Sequence, residues 1–147
     1  MTYLTSSADS PQVHPRTIGA PGRTRYGYVS LGRHDERFHG AVFHGVMKFD
    51  LLEEREVGRV DFGPNLWGGE TLFVPAAADG MGAEDAGYLL NILRDNVTDA
   101  ASLVIYDAAT MDDEPLAKVH LVGHVPYGFH AGYLSAAEVE RLVPAPR

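Results

Sequence analysis

Short apolar segments broken by Gly, Pro and Asp follow one another along this chain from Tyr26 onward. One segment places Phe43, Met47, Phe49 and Leu51 at mostly even spacing. A period of two is typical of a strand with one buried face, so these four side chains are predicted to share that face. About seven such segments recur at intervals of roughly 10–15 residues, which predicts an antiparallel all-β fold. The other clear segments are 57–63, 71–75, 87–94, 102–106 and 116–122.

The two ends of the chain carry different patterns. Residues 1–23 contain few large apolar groups and are predicted to form an extended arm, which leaves residues 24–147 as the folded part. Ser135 and Glu138 have the spacing of a capping box, in which the serine and the glutamate bond each other's backbone N–H groups. This pattern predicts a short C-terminal helix that ends before Pro144.

Residues 84–95 have two interpretations. Their Leu, Arg, Glu and Ala residues favour a helix, whereas Gly87 favours a strand that begins at a tight turn. We expect a strand. The acidic pair Glu84 and Asp85 just before it is either a solvated turn or a device that fixes the turn.

Length, charge and cysteine content limit the possible functions. A chain of 147 residues forms one domain at most, and a net charge of −8 argues against binding to nucleic-acid phosphates. There is no cysteine, so any metal site must use His, Asp or Glu. No apolar run approaches the ~20 residues of a membrane span, and residues 1–15 lack the apolar core of a signal peptide. We therefore expect a soluble, cytoplasmic protein without a transmembrane segment.

Six of the seven histidines are predicted to have no role in metal binding. The first three lie in polar, charged or Gly-flanked segments typical of a surface. The fourth falls on the polar side of its strand. The last two lie on the same face of one strand, in a pattern typical of half-buried polar residues. They are, in that order, His14, His34 and His39; His44; and His120 and His124.

His130 differs from these because it lies in the apolar run 125–133, between Gly128 and Gly132. A histidine in such a setting is most often a hydrogen-bonded core residue. The glycines also permit the close approach that a metal ligand at a strand end requires, and neutral imidazole suits iron(II). A metal-bound histidine usually donates its second ring N–H to a carboxylate. Spacing alone does not single out which carboxylate this is, and Glu70 is matched to the role only by the paired family motifs given next.

Several motifs follow one another along the chain in a characteristic order. They are Val46-Met47-Lys48-Phe49-Asp50, Asp61-Phe62-Gly63-Pro64, Gly68-Gly69-Glu70 through Pro75, Glu84-Asp85-Ala86-Gly87-Tyr88, and Val125-Pro126-Tyr127-Gly128-Phe129-His130. Together they resemble the C-terminal part of the carotenoid cleavage oxygenase family, which includes the retinal pigment epithelial membrane protein and lignostilbene dioxygenase types.

The resemblance implies a function and a site. Family members are non-haem iron(II) dioxygenases that add O2 across a conjugated double bond of a carotenoid, apocarotenoid or stilbene and release two carbonyl products. They are seven-bladed β-propellers in which four histidines from four blades hold Fe2+. His130 corresponds to the last of these four ligands, and Glu70 would orient a histidine through its free ring N–H. Tyr127, Phe129 and Tyr133 could shape the surroundings of the metal, although each is more often simply a core residue.

Length separates this chain from the family. The resemblance covers nearly the whole chain but supplies one of four ligands, so 24–147 corresponds to the last two to three blades of the propeller. A minor departure is Ala131, where many members have Gly. A single imidazole does not hold iron(II) firmly, because affinity depends on several ligands arranged in advance.

Two functions therefore remain open. The first is part of an iron(II) dioxygenase that acts on an apolar polyene or stilbene. The second is a non-catalytic, truncated β-domain or remnant that serves, if at all, as an interaction module. In either case an open blade face and an unpaired strand edge predict self-association.

Overall fold

The structure, a computed structural model, describes residues 7–20, 22–35, 40–77, 81–123, 125–128 and 130–142. Within these ranges the chain forms nine strands, rather than the seven predicted, a 3₁₀ turn at Pro15–Thr17 and one α-helix. The prediction of an all-β, antiparallel fold with a short C-terminal helix is confirmed. In the same ranges, neither helical segment has the length and apolar character that crossing a bilayer requires. The elements are β1 (Ser7–Val13), β2 (Tyr26–Asp35), β3 (Gly40–Asp50), β4 (Arg55–Asp61), β5 (Leu66–Gly68), β6 (Leu72–Pro75), β7 (Gly87–Asp95), β8 (Ala101–Asp107), β9 (Ala117–Leu121) and α1 (Ala136–Leu142).

The strands form two four-stranded antiparallel units joined into one sheet. In the first unit, β1 pairs with β2, β2 with β3 and β3 with β4. In the second, β6 pairs with β7, β7 with β8 and β8 with β9. The short strand β5 pairs with β3 on one side and with β7 on the other. The two units therefore share one continuous ladder of backbone hydrogen bonds.

The main core lies between the two units. Tyr28 of β2 stacks on Phe73 of β6, with ring centroids 5.2 Å apart and the rings 14° from parallel. The Tyr28 hydroxyl is fully buried and donates to the carbonyl of Ala108, 3.1 Å away. Burial of large apolar side chains between the units holds them together. The other members of this cluster are Val46, Val60, Phe62, Leu89, Leu93, Val104, Tyr106, Ala108 and Met111.

The prediction that Phe43, Met47, Phe49 and Leu51 share the buried face of β3 was wrong. The face that packs against the second unit carries Val46, Lys48 and Asp50, all of them buried, whereas Leu51 lies in a turn and is exposed. Met47 is buried as well, on the opposite face. Period-two reasoning fails here because both faces of β3 are covered and its ladders with β2 and β4 each contain a register shift.

The strand interpretation of segment 84–95 is confirmed: residues 84–86 form a turn, and β7 spans Gly87–Asp95. A Cβ at Gly87 would lie 2.7 Å from the Val74 carbonyl oxygen, so the backbones of β6 and β7 approach too closely there for any larger residue. The acidic pair before β7 has a structural role. Glu84 Oε1 accepts from the backbone N–H groups of Arg25 and Tyr26, each 2.8 Å away, so the turn is tied to the start of β2.

The predicted arm and C-terminal helix are partly described. Residues 7–13 of the arm are extended, and as β1 they pair with β2 at the edge of the sheet. Helix α1 begins after Ser135, whose hydroxyl and backbone N–H both donate to Glu138 Oε2, at 2.7 and 2.8 Å. The capping box is confirmed, and the described helix spans Ala136–Leu142.

Three histidines differ from their predicted settings. His14, predicted at the surface, is buried against Phe73, and its Nδ1 accepts from the N–H of Arg16 at 3.2 Å. His44 is half-buried, and its Nδ1 finds no hydrogen-bond partner among the described residues. His120 is exposed rather than half-buried. The side chain of His34, and residues His39, His124 and Phe129, lie outside the described part of the chain.

Candidate metal centre

Glu70 lies between β5 and β6, and the backbone on both sides of it is fixed. Asn91 of β7 accepts from the Gly69 N–H at 3.0 Å, and its amide donates to the Gly69 carbonyl at 2.9 Å and to Thr71 Oγ1 at 2.8 Å. The Thr71 N–H donates to Ser30 Oγ at 3.1 Å. A buried amide satisfied on every side keeps one conformation, so the backbone that carries Glu70 has little freedom.

The Glu70 carboxylate meets His130, as the sequence motifs indicate. His130 Nδ1 lies 3.0 Å from Glu70 Oε1, and the N–H of Ala131 donates to Oε2 at 2.9 Å. A third donor is the hydroxyl of Ser10, which lies 2.6 Å from Oε1. Glu70 therefore joins β1, the β5–β6 connection and the C-terminal segment at one point.

The charge of Glu70 sets the proton position on His130. Burial alone would raise the pKa of Glu70, but the hydrogen bonds from Ser10, Ala131 and His130 together outweigh it and hold that pKa below its usual value. An ionised carboxylate only accepts hydrogen bonds, so Nδ1 of His130 must carry the proton. In the neutral ring the lone pair is then on Nε2, which is the nitrogen available to a metal.

His130 presents that nitrogen outward, because its side chain is 90% exposed whereas that of Glu70 is 14% exposed. An imidazole oriented by a carboxylate through its other nitrogen fits iron(II), which accepts neutral imidazole ligands. The described ranges contain no group of three or more His, Asp or Glu side chains that could hold a metal ion. These residues therefore fit the role of one ligand with its orienting carboxylate, and they do not form a complete site.

A small apolar cavity of about 100 Å³ lies beside this pair. Trp67 of β5 and Ile92 of β7 line it together with Tyr127, whose hydroxyl accepts from the Phe43 N–H at 3.3 Å. Burial raises the pKa of Tyr127, so its hydroxyl stays protonated. Tyr133, also considered from the sequence, is half exposed and lines a different groove.

Sequence reasoning missed three residues of this site. Asn91 has a signal in the sequence, because it is a polar residue on the same side of β7 as the buried Leu89 and Leu93. A buried amide at such a position must have partners. Ser10 and Trp67 carry no such signal, since the first lies in a polar segment and the second in a short strand between glycines and prolines.

Comparison with known proteins identifies the family. A family model described as retinal pigment epithelial membrane protein matches residues 2–135, which is most of the chain. The chain belongs to this family. The match agrees with the carotenoid oxygenase family that the sequence motifs indicated.

The relatives of this chain include two plant enzymes. The chain is 37% identical over 134 residues to 9-cis-epoxycarotenoid dioxygenase NCED1 of Oryza sativa subsp. japonica. This match covers 90% of the chain but 20% of the relative. The chain is 38% identical over 125 residues to the zeaxanthin 7,8(7′,8′)-cleavage dioxygenase of Crocus sativus, covering 82% of this chain and 33% of the relative. The chain thus spans about a fifth to a third of the length of these relatives.

Solved structures of the family have the same fold. Cobalt-substituted apocarotenoid oxygenase of Synechocystis superposes with a TM-score of 0.74 at 30% identity, over 90% of this chain and 26% of that one. A Glu150Asp mutant of the same apocarotenoid oxygenase gives 0.71 at 31% identity, over 86% and 25%. The two four-stranded units are consistent with part of a β-propeller of this kind.

Proposed function

We propose that this chain is part of a non-haem iron(II) dioxygenase that cleaves a conjugated carbon–carbon double bond with O2. In this proposal His130 is one of four histidine ligands and Glu70 orients it. The observation that carries the proposal is the hydrogen bond from His130 Nδ1 to Glu70, which leaves Nε2 exposed as a metal donor. The remaining ligands would come from parts of the enzyme that this chain does not represent.

The residues of the chain have distinct tasks in this proposal. Glu70 keeps the proton on Nδ1 and fixes the plane of the ring, which lowers the cost of ordering His130 when it binds metal. Bound iron(II) supplies the activation of O2. Trp67 and Ile92 line a small apolar cavity on one side of His130.

The proposed substrate class is an apolar polyene: a carotenoid, an apocarotenoid or a stilbene-type compound. The names of the relatives support the first two, since they refer to epoxycarotenoid, zeaxanthin and apocarotenoid. The apolar side chains beside His130 suit a hydrocarbon and offer few groups that could hydrogen-bond a polar substrate.

The experiment is a chimera. In the Synechocystis apocarotenoid oxygenase, the quarter of the chain that matches this protein is replaced by this protein, and the loss of polyene absorbance is followed with iron(II) and O2 supplied. We expect turnover, its abolition by His130→Ala and a clear decrease with Glu70→Ala. His120→Ala is the matched control, because His120 is exposed on β9 and, within the described residues, its side chain is hydrogen-bonded only to Ser102.

A folded, iron-loaded chimera that turns over equally well with His130→Ala contradicts the ligand assignment. A folded chimera that carries all its ligands but neither binds iron nor turns over contradicts the enzymatic proposal itself. Metal analysis of each purified variant separates these two outcomes.

A second candidate function, an interaction module, has its own structural support. The outer face of the β6–β9 unit carries apolar side chains from all four strands, and several of them are in contact with solvent. The paired residues on this face are Val74 with Tyr88, Leu90 with Ile105, Ile92 with Leu103, and Leu103 with Val119. Tyr88, Ile92 and Val119 are 39%, 44% and 50% exposed, a pattern that favours burial against another protein surface.

A further inference from the structure

Strand β1 contains a bulge that is centred on a residue with unusual backbone geometry. Asp9 pairs with Ser30 and Gln12 pairs with Tyr28, so two residues of β1, Ser10 and Pro11, oppose a single residue of β2. Ser10 has a φ of 51°, a left-handed conformation that is uncommon for residues other than glycine. Such bulges often redirect a side chain, and strained backbone is frequent at functional sites.

The bulge turns Ser10 towards Glu70. Paired residues of neighbouring strands share a face, so Asp9 and Ser30 lie on one side of the sheet, and in a regular strand Ser10 would point to the other. Ser30 bonds Thr71, next to Glu70, which places Glu70 on the side of Ser30. The left-handed residue breaks the alternation and brings Ser10 Oγ to 2.6 Å from Glu70 Oε1.

The other contacts of Glu70 cannot replace this one. Asn91 fixes the backbone around Glu70, but it has no hydrogen bond to the carboxylate. His130 and Ala131 bond the carboxylate, but both belong to the same C-terminal segment and would move together with it. Ser10 is the contact that ties the carboxylate itself to the sheet.

We propose that Ser10 is a positioning residue of the candidate metal centre: its hydroxyl holds the Glu70 carboxylate so that His130 keeps its proton on Nδ1 and presents Nε2. This inference rests on the function proposed above, because it assigns Ser10 a role through the ligand His130. It also gives the bulge of β1, in a segment without any recognisable motif, a part in the site.

The test measures the tautomer of His130 directly, without metal. Long-range ¹H–¹⁵N NMR of the ¹⁵N-labelled chain, at a pH where the imidazole is neutral, distinguishes the Nδ1–H from the Nε2–H form. The His130 signals are assigned by their absence in His130→Gln. We expect mainly the Nδ1–H form in the wild type. In both Ser10→Ala and Ser10→Gly the ratio of Nδ1–H to Nε2–H is expected to fall about threefold or more. The loss of one hydrogen bond of typical net strength can produce a change of this size.

Two Ser10 variants separate positioning from backbone strain. Both lack the hydroxyl, but Gly relieves the left-handed backbone whereas Ala does not. The matched strain control is Glu54→Gly, because Glu54 also has a φ of 51° and lies in the turn between β3 and β4. Glu54→Gly is expected to leave the His130 tautomer ratio unchanged, and circular dichroism checks that each variant retains the fold.

Glu70→Ala gives the limit for a His130 without its carboxylate. A ratio that falls in Glu70→Ala but stays at the wild-type value in both Ser10 variants overturns the role of Ser10 and leaves the proposed function intact. A wild-type ring that is mainly Nε2–H, or a ratio unaffected by Glu70→Ala, contradicts the pairing of Glu70 with His130 and with it the ligand geometry of the proposed function.

Discussion

Removing the carboxylate of Asp85 is expected to destabilise the protein strongly, because it leaves a buried lysine without its counter-charge. Lys48 is 3% exposed, and its Nζ lies 2.8 Å from Asp85 Oδ2 and 3.1 Å from the Ala109 carbonyl oxygen. Lys48 belongs to the first four-stranded unit, whereas Asp85 and Ala109 flank strands of the second. This one ammonium group therefore bonds the two units together.

The structure sets the magnitude. Removing one partner of a buried ion pair costs about 3–5 kcal/mol. Asp85 is 21% exposed, and Lys48 keeps the Ala109 carbonyl and the face of Tyr26, whose ring centroid is 4.5 Å from Nζ. We therefore expect the lower end, about 3 kcal/mol for Asp85→Ala, or a decrease of about 9 °C in Tm for a chain of this size.

Companion variants separate charge from contact. Asp85→Asn keeps an acceptor without the charge and is expected to cost about 1.5 kcal/mol. Lys48→Met removes the buried charge at similar volume and leaves the Asp85 carboxylate, which is 21% exposed and can be solvated, so it is expected to cost only about 1 kcal/mol. In the Lys48→Met background, Asp85→Ala is then expected to cost about 1 kcal/mol or less. The difference from its cost of about 3 kcal/mol in the wild type is a coupling energy of about 2 kcal/mol.

The assay is urea unfolding at low micromolar concentration, followed by circular dichroism. Glu56→Ala is the control, because Glu56 pairs with Arg59 at an exposed site, and it is expected to change the free energy of unfolding by less than about 1 kcal/mol. If Asp85→Ala costs no more than Glu56→Ala, or if its cost is the same with and without Lys48, the reasoning about a buried charge is refuted.

Three further predictions concern the metal, association and pH. The isolated chain is expected not to bind iron(II) stoichiometrically, since the described residues offer one ligand with its carboxylate. The measurement is equilibrium dialysis followed by metal analysis. One tightly held iron per chain, lost on His130→Ala, would show instead that the site is complete. Size-exclusion chromatography with light scattering is expected to show self-association of the isolated chain. Ile92→Lys is expected to reduce this association, whereas the control Leu52→Lys, exposed in the β3–β4 turn, is not. A monodisperse monomer argues against the prediction. Burial, and to a lesser extent the charge of Arg16, lowers the pKa of His14 below its usual 6.5. As the pH falls through about 6.5, the unfolded chain therefore protonates this imidazole more readily than the folded chain does, and stability is lost. His14→Gln is expected to lose less stability than the wild type between about pH 7.5 and about pH 5.5 in urea titrations, and an equal loss contradicts the assignment.

Local rules and sequence motifs predicted the parts of this structure that local chemistry decides. Gly87 indicated the start of β7, and the capping box of Ser135 and Glu138 indicated α1, because both depend on a few neighbouring residues. The pairing of Glu70 with His130 was predicted although 60 residues separate them. In that case two short motifs resembling one family carried the information that spacing alone lacks.

Features decided by packing between distant segments were not predictable in the same way. Lys48 has the parity of a solvent-facing residue, and its burial depends on Asp85 and Ala109 in the other unit. His14 is buried because Phe73 covers it. Ser10 faces Glu70 only because a bulge shifts the alternation of β1, and no pattern in the surrounding residues indicates where that bulge lies.

The three-residue strand β5 has a mechanical consequence for the candidate centre. It is hydrogen-bonded to one unit through Phe43 and to the other through β7, and the chain leaves it at Gly68 directly into Gly69 and Glu70. A hinge motion of one unit against the other would have to break or shear this strand, and Glu70 would be displaced by the same motion. Glu70, and through its hydrogen bond the imidazole of His130, is therefore attached to the strand that joins the two units.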